Sequence, residues 1–211
     1  MSTVNEALRT AAEHLLNTSD TARLDAEVLM AHALGVSRSE MLLRHGRDEA
    51  PAGFAALVER RARHEPVAYI TENQEFYGRT FHVSPAVLIP RADSETPVAA
   101  ALEAVPGARR VLDCGTGSGA LLLTLLAEMP AAAGIGIDRS AAALAVAQRN
   151  AGALGLTSRA EFRTADWTCP NWADDLGRFD LVIANPPYVE DSAPLEPSVR
   201  DHEPHLSLIH I

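Results

Sequence analysis

Short apolar segments alternate with helical segments between residues 109 and 184, and this alternation constrains the fold of the chain. The predicted strands are residues 111–113, 134–138, 161–164 and 180–184, and the predicted helices are residues 121–129 and 141–154. Parallel strands need a long crossover connection, which is usually a helix. The pattern therefore predicts an α/β domain with a parallel, doubly wound sheet. In such a sheet, ligands bind at the carboxyl ends of the strands.

The first 65 residues have a different sequence pattern, because their apolar residues recur at helical spacing. Gly35 is placed to end the second helix, and Ser37 with Glu40 forms a capping-box pattern for the third. We interpret residues 1–65 as a small helical bundle. Two β-rich runs follow, residues 67–70 and 76–83, and predict a hairpin within a linker of residues 66–91. The α/β domain then occupies residues 92–211.

Charge and composition exclude several classes of protein. The 211-residue chain has a net charge of −10, which argues against a basic face that binds nucleic acid. The basic segment at residues 60–63 is interpreted as a solvated helix end. Cys114 and Cys169 lie far apart and are expected to be reduced thiols. No metal-ligand spacing and no apolar run of about 20 residues occurs, so we expect a cytoplasmic protein without a metal or membrane span.

A glycine-rich loop follows the first predicted strand of the sheet. Its sequence is Asp-Cys-Gly-Thr-Gly-Ser-Gly, residues 113–119. Glycines at alternate positions allow a tight turn that brings the backbone close to a ligand, next to the unpaired N–H groups of a helix start. The compact Gly-x-Gly-x-Gly spacing is typical of S-adenosylmethionine sites. The predicted cofactor-binding residues of this loop are Gly115, Thr116, Gly117, Ser118 and Gly119.

Acidic residues end the next two strands. Asp138 stands where doubly wound nucleotide folds place a carboxylate that accepts hydrogen bonds from ribose hydroxyls. The alternative is a helix N-cap for the run that begins at Ser140. Asp166 and Trp167 follow the third strand, where an acid and an aromatic ring can frame an adenine. The alternative for Trp167 is simple packing.

The fourth strand ends in Asn185-Pro186-Pro187-Tyr188. Proline fixes φ and has no N–H, so this backbone is rigid and rich in acceptors. A carboxamide, carbonyl groups and an aromatic ring at the carboxyl end of a strand can hold a planar amide or amino group. By itself, the tetrapeptide is also compatible with a plain turn.

These motifs together resemble the family of peptide chain release factor glutamine N5-methyltransferases (HemK/PrmC type). The resemblance spans residues 4–206. Besides the motifs above, it rests on the helical N-terminal domain and on the segments Ile89-Pro90-Arg91-Ala92-Asp93-Ser94-Glu95, Asp138-Arg139 and Gln148-Arg149-Asn150-Ala151. Asn-Pro-Pro-Tyr alone is shared with adenine-N6 DNA methyltransferases.

The resemblance implies a Rossmann-like class I methyltransferase domain with S-adenosylmethionine as its cofactor. The substrate would be the glutamine of the Gly-Gly-Gln motif in bacterial release factors, which the helical domain would dock. The implied catalytic residues are Asn185, Pro186 and Tyr188. The implied substrate-binding residues are these three together with Pro187. Trp167 and Asn185 are implied to contact the cofactor. We expect a monomer that does not recognise nucleic acid sequences directly.

Two features depart from the family pattern. The family usually has Pro-Asp-Thr-Glu where this chain has Ala92-Asp93-Ser94-Glu95. The family sheet has seven strands, whereas residues 189–211 are too few for the remaining units. The expectation is a chain cut short after its fourth strand, which would be an exposed edge prone to aggregation. Alternatives are an adenine-N6 or ribosomal-protein glutamine methyltransferase, and an inactive cofactor-binding fragment.

Overall fold

The computed structural model describes residues 2–186 and 195–204. The chain divides into two compact units. The described part of the first unit is residues 2–72 and 195–202, and that of the second is residues 73–186 and 203–204. The hairpin expected in the linker belongs to the second unit.

The first unit is a helical bundle, as the sequence predicts. Its helices are α1 (Val4–Leu15), α2 (Ala22–Leu34), α3 (Arg38–Arg44), α4 (Phe54–Ala62) and α5 (Val67–Thr71), with a further helix at Pro197–His202. The predicted end of α2 is confirmed, because Gly35 adopts the left-handed conformation at φ +69°. Ser37 caps α3 by accepting a hydrogen bond from the Glu40 N–H at 3.1 Å, while the Glu40 carboxylate accepts one from Arg44.

The basic segment at the end of α4 differs from expectation. Arg61 is not solvated: its side chain is 13% exposed and its Nε lies 2.6 Å from Asp25 on α2. Arg60 pairs with Glu65. The Arg61–Asp25 ion pair joins α4 to α2, whereas Arg60 stays 38% exposed beside Glu65.

The prediction of a strand at residues 67–70 is wrong, because these residues form α5. Their β-branched and aromatic composition favoured a strand, but both Tyr69 and Ile70 are 3% exposed and Ile70 packs in the core of the helical bundle. Tertiary burial therefore overrides local propensity here. The hairpin itself is confirmed in a shifted position, with β1 at Asn73–Phe76 paired to β2 at Arg79–His82. Tyr77 and Gly78 connect the strands with positive φ at both positions, which suits a tight hairpin turn.

The second unit contains the predicted parallel sheet. Its strands are β3 (Arg110–Cys114), β4 (Ala133–Asp138), β5 (Ala160–Thr164) and β6 (Leu181–Ala184), and its helices are α6 (Glu95–Ala104), α7 (Ala120–Glu128) and α8 (Ala141–Ala153). All strand pairs of this four-stranded sheet are parallel, and their spatial order is β5-β4-β3-β6. The chain moves outward from β3 through β4 to β5 and then returns to the other side of β3. This reversal makes the crevice between β3 and β6 the topological switch point, where ligands bind in open α/β sheets.

The core of this unit forms around α7, whose leucines are buried. Leu122 fits against β4 because residue 134 is a glycine: a Cβ there would stand 2.5 Å from the Leu122 side chain. At the edge of the sheet, β6 pairs only with β3 within the described part of the chain, and Val182 is 60% exposed. The predicted exposed edge is thus observed for these residues.

Candidate active site

The glycine-rich loop runs from the end of β3 to the start of α7. Gly115, Gly117 and Gly119 have φ values of +75°, +53° and +80°, a region that other residues adopt only under strain. The N–H groups of Gly115 and Thr116 both donate to the Ile137 carbonyl at 2.9 Å. The loop is thereby fastened to β4, and its alternate glycines keep one surface free of side chains.

Asp113 in β3 also holds the glycine-rich loop in place through a hydrogen bond. Its side chain is completely buried, and Oδ2 accepts a hydrogen bond from Thr116 Oγ1 at 2.7 Å. Oδ1 is buried without a hydrogen-bond partner among the described residues. Burial, with a smaller contribution from the nearby charge of Asp138, raises the pKa of this carboxyl to about 7. Burial likewise raises the pKa of the neighbouring Cys114 thiol to about 11, so this thiol is no nucleophile.

Asp138 ends β4 and faces the loop. Its carboxylate accepts hydrogen bonds from the Gly117 N–H at 3.0 Å and from the Ser140 N–H at 2.9 Å. The helix α8 is capped by Ser140 rather than by Asp138, since the Ala143 N–H donates to Ser140 Oγ at 3.2 Å. A carboxylate has about four acceptor positions, so Asp138 keeps capacity for a ligand after these two contacts.

Trp167 follows β5 and lies beside the loop. A Cβ at Gly115 would stand 2.9 Å from its ring. The indole is 38% exposed, so packing has not buried it. The preceding Asp166 accepts hydrogen bonds from both the N–H and the hydroxyl of Thr168, and these contacts lower its pKa.

Asn185 and Pro186 follow β6, directly beside the end of β3. The Asn185 Nδ2 atom donates a long hydrogen bond of 3.4 Å to Ser94 Oγ. Ser94 directly precedes α6, but its side chain makes no capping hydrogen bond to that helix and contacts Asn185 instead. This contact orients the carboxamide with its oxygen on the side away from Ser94. Pro187 and Tyr188, also predicted site residues, lie outside the described residues.

The strand ends converge on one cavity of about 270 Å³. Of the predicted residues, it is lined by Gly115, Thr116, Gly117, Ser118, Asp138, Trp167, Asn185 and Pro186. Gly119 begins α7 instead, and a Cβ there would meet Leu123 at 3.0 Å and Ala147 at 3.3 Å. The volume is close to the lower end of the roughly 300–1,000 Å³ that small-molecule sites occupy.

The site predictions did not include a second wall of the cavity, formed by the segment between the hairpin and α6. Leu88, Pro90, Arg91 and Ser94 line it. The sequence did contain a signal for this wall, because Ile89-Pro90-Arg91 was part of the family resemblance. Local composition gave no reason to place the segment at the ends of β3 and β6.

Over residues 2–186 and 195–204, no group of three or more His, Cys, Asp or Glu side chains could hold a metal ion. In the same residues, no helix has the length and apolar character needed to cross a membrane.

Comparisons with known proteins find matches along most of the chain. Residues 6–71 match the family model of the PrmC N-terminal domain, and residues 107–204 match that of a methyltransferase domain. The release factor glutamine methyltransferase of Cereibacter sphaeroides is 45% identical, over 96% of this chain and 73% of that protein. The enzymes of the same name from Caulobacter vibrioides and Burkholderia pseudomallei are 43% and 42% identical, over 90% and 98% of this chain and 67% and 71% of theirs.

The fold and the methyltransferase match define an enzyme of the S-adenosylmethionine-dependent methyltransferase class. The N-terminal match and the similarity along most of the chain go further. The chain belongs to the family of release factor glutamine methyltransferases.

Proposed function

We propose that this chain transfers a methyl group from S-adenosylmethionine to the side-chain amide nitrogen of a glutamine, the one in the Gly-Gly-Gln motif of peptide chain release factors. One observation carries the proposal. Asn185 and Pro186, whose oxygens can accept hydrogen bonds from an amide, line the same cavity as the glycine-rich loop. Names of the relatives support release factors as the substrate class.

The residues of the cavity fit the cofactor, which when bound supplies an activated methyl group on a sulfonium. Asp138 would accept hydrogen bonds from the ribose hydroxyls, because its carboxylate already faces the loop. Trp167 offers an exposed ring face for the adenine. Gly115 and Gly117, which line the cavity, would let the loop backbone approach the cofactor without a Cβ in the way, whereas Gly119 allows close packing of the start of α7 against Leu123 and Ala147. Thr116 and Ser118 complete this wall.

Asn185 and Pro186 would hold the substrate amide. Amide nitrogens are poor nucleophiles, since the lone pair is delocalised into the carbonyl. The Asn185 side-chain oxygen and the Pro186 carbonyl would accept the two N–H bonds of the glutamine side chain. Both acceptors fix the nitrogen in place and oppose the positive charge that grows on it during transfer. Pro187 would stiffen this backbone, and Tyr188 would pack on the face of the amide.

No strong base is required before transfer in this arrangement. The amide proton can leave after the nitrogen has gained its methyl group, when it is far more acidic. The raised pKa of the Cys114 thiol agrees with a site that works without an activated nucleophile of its own. Positioning can lower a barrier by roughly 7–11 kcal/mol, and it is the main contribution that we assign to the protein.

The helical unit is proposed to dock the release factor. Leu42 and Leu43 on α3 are 44% and 83% exposed, which leaves apolar surface for a protein partner. We further infer that the enzyme acts in the cytoplasm as a monomer.

The proposal is tested by incubating the purified chain with a bacterial release factor and isotopically labelled S-adenosylmethionine. Fragmentation mass spectrometry should locate one methyl group on the glutamine of the Gly-Gly-Gln motif. A release factor in which alanine replaces that glutamine is the matched control and should stay unlabelled. Label on the control, or none on either protein, would contradict the proposal. Labelled adenine in added DNA would support the nucleic-acid alternative, which the net charge of −10 disfavours.

A further inference from the structure

Glu203 is a buried carboxylate that the proposed chemistry does not use. Its side chain is 1% exposed. Oε1 accepts a hydrogen bond from the Arg91 guanidinium, and Oε2 accepts one from the Ile89 N–H at 3.3 Å. Glu203 thus binds both the Arg91 side chain and the Ile89 backbone. These two residues belong to the segment before α6, more than 110 residues earlier in the chain.

Burial of this carboxylate has a cost that the contacts must offset. An ionised group taken out of water loses several kcal/mol of hydration, and only a charged partner with further hydrogen bonds compensates for it. Arg91 supplies the charge and Ile89 supplies a second donor. Removal of Arg91 would leave an uncompensated buried charge, so the ion pair favours one position of the segment.

That segment is a wall of the cavity. Leu88, Pro90 and Arg91 line it, and so does Pro204, the residue after Glu203. Ser94, three residues beyond Arg91, accepts the hydrogen bond from Asn185. The segment is therefore connected to Asn185 through Ser94.

We propose that Glu203 is a positioning residue for methyl transfer: it fixes the Leu88–Arg91 wall, and through Ser94 the Asn185 carboxamide, where the substrate amide must lie. This assignment rests on the proposed function. Among the described residues, Glu203 does not line the cavity, and it acts through Arg91 and Ile89.

The test variant is Glu203→Gln, which keeps an acceptor for Ile89 but loses the charge that pairs with Arg91. We expect kcat for methyl transfer to the release factor to fall at least about tenfold, since small misplacements of reacting groups are costly. The Kd for S-adenosylmethionine, measured by calorimetry, should change less than about threefold, because the proposed nucleoside contacts, Asp138 and Trp167, are untouched. Arg91→Lys keeps the charge and should lose less activity than Glu203→Gln.

Glu161→Gln is the matched control. It breaks another Arg–Glu ion pair of the same unit, between Arg163 and an exposed Glu161, and should leave kcat unchanged. A Glu203→Gln variant that matches this control in kcat would overturn the inference. So would a loss of cofactor affinity in proportion to activity, which indicates general unfolding.

Hydrogen exchange separates this inference from the proposed function. In Glu203→Ala, which removes the acceptor of the Ile89 N–H as well as the charge, the Ile89 amide should lose at least about tenfold protection, while amides of α7 keep theirs. Unchanged protection at Ile89 would refute the positioning role even if the wild type is active. If the wild type fails to methylate the release factor, the proposed function fails, and the exchange result still decides whether Glu203 holds the wall.

Discussion

Asp113 is the residue whose surroundings most alter its chemistry. Its pKa is about 7 in the folded protein and 3.8 ordinarily. Between these pH values the folded state holds a proton that the unfolded chain has lost. A rise in pH from about 4 to about 7 therefore removes stability, on the order of 4 kcal/mol at most, and the loss levels off above the folded pKa.

This pH dependence can be measured by urea unfolding at pH 5 and pH 8, followed by the fluorescence of Trp167 and Trp172. Asp113→Asn does not titrate and keeps an oxygen for Thr116. The free energy of unfolding of the wild type, relative to this variant, should be higher at pH 5 than at pH 8. An equal difference at the two pH values would show that Asp113 is ionised throughout.

Gly115 gives a second prediction at a single residue. Its φ of +75° disfavours any side chain, and a Cβ would stand 2.9 Å from the Trp167 ring. Gly115→Ala should weaken S-adenosylmethionine binding about tenfold or more in calorimetry, because left-handed backbone alone costs roughly 1–2 kcal/mol. Gly152→Ala is the control, since a Cβ there meets nothing within 4 Å inside α8. A Gly115→Ala variant that binds as well as the control would contradict this account of the loop.

Asn150 connects three elements. It lies on α8 with 1% exposure, and its Oδ1 accepts a hydrogen bond from the His82 N–H of β2 at 2.7 Å. Its Nδ2 donates to the His82 carbonyl at 3.0 Å and to the Ser118 carbonyl at 2.8 Å. One carboxamide thus joins the hairpin, α8 and the glycine-rich loop.

Asn150→Ala should lower the free energy of unfolding of the second unit by about 3 kcal/mol, because it leaves buried backbone groups without partners. Cofactor binding should weaken as well, since the loop loses its contact at Ser118. Gln148→Ala removes an exposed carboxamide from the same helix and serves as the control. Thermal or urea unfolding curves that are identical for the two variants would rule out this connecting role.

Across the whole molecule, the sequence predicted the features that depend on local pattern. Strands alternating with helices predicted the parallel sheet, and the strand ends at Asp113, Asp138, Trp167 and Asn185 predicted a common site because parallel strands end at one edge. The run at residues 67–70 was predicted incorrectly, since burial against the bundle rather than composition determines its structure. The wall held by Glu203 could not be predicted, because its contacts join residues more than 110 positions apart.

The two units have different tasks in this account. We propose that the helical unit supplies the surface for the protein substrate, and the α/β unit contains the cavity where the strand order reverses. This division agrees with the two family models, which match residues 6–71 and 107–204 separately. The chain covers 73% of the length of its Cereibacter sphaeroides relative. The proposed measurements should be made on the 211-residue chain itself.

We propose that Asn185 acts on the substrate amide more than on the cofactor. The most direct measurement compares wild type and Asn185→Ala in two quantities, kcat for methyl transfer to the release factor and Kd for S-adenosylmethionine. We predict that kcat falls about 100-fold or more, as when one preorganised dipole is lost from an active site, and that Kd changes less than about threefold. Unchanged kcat, or an equal loss in both quantities, would contradict the claim.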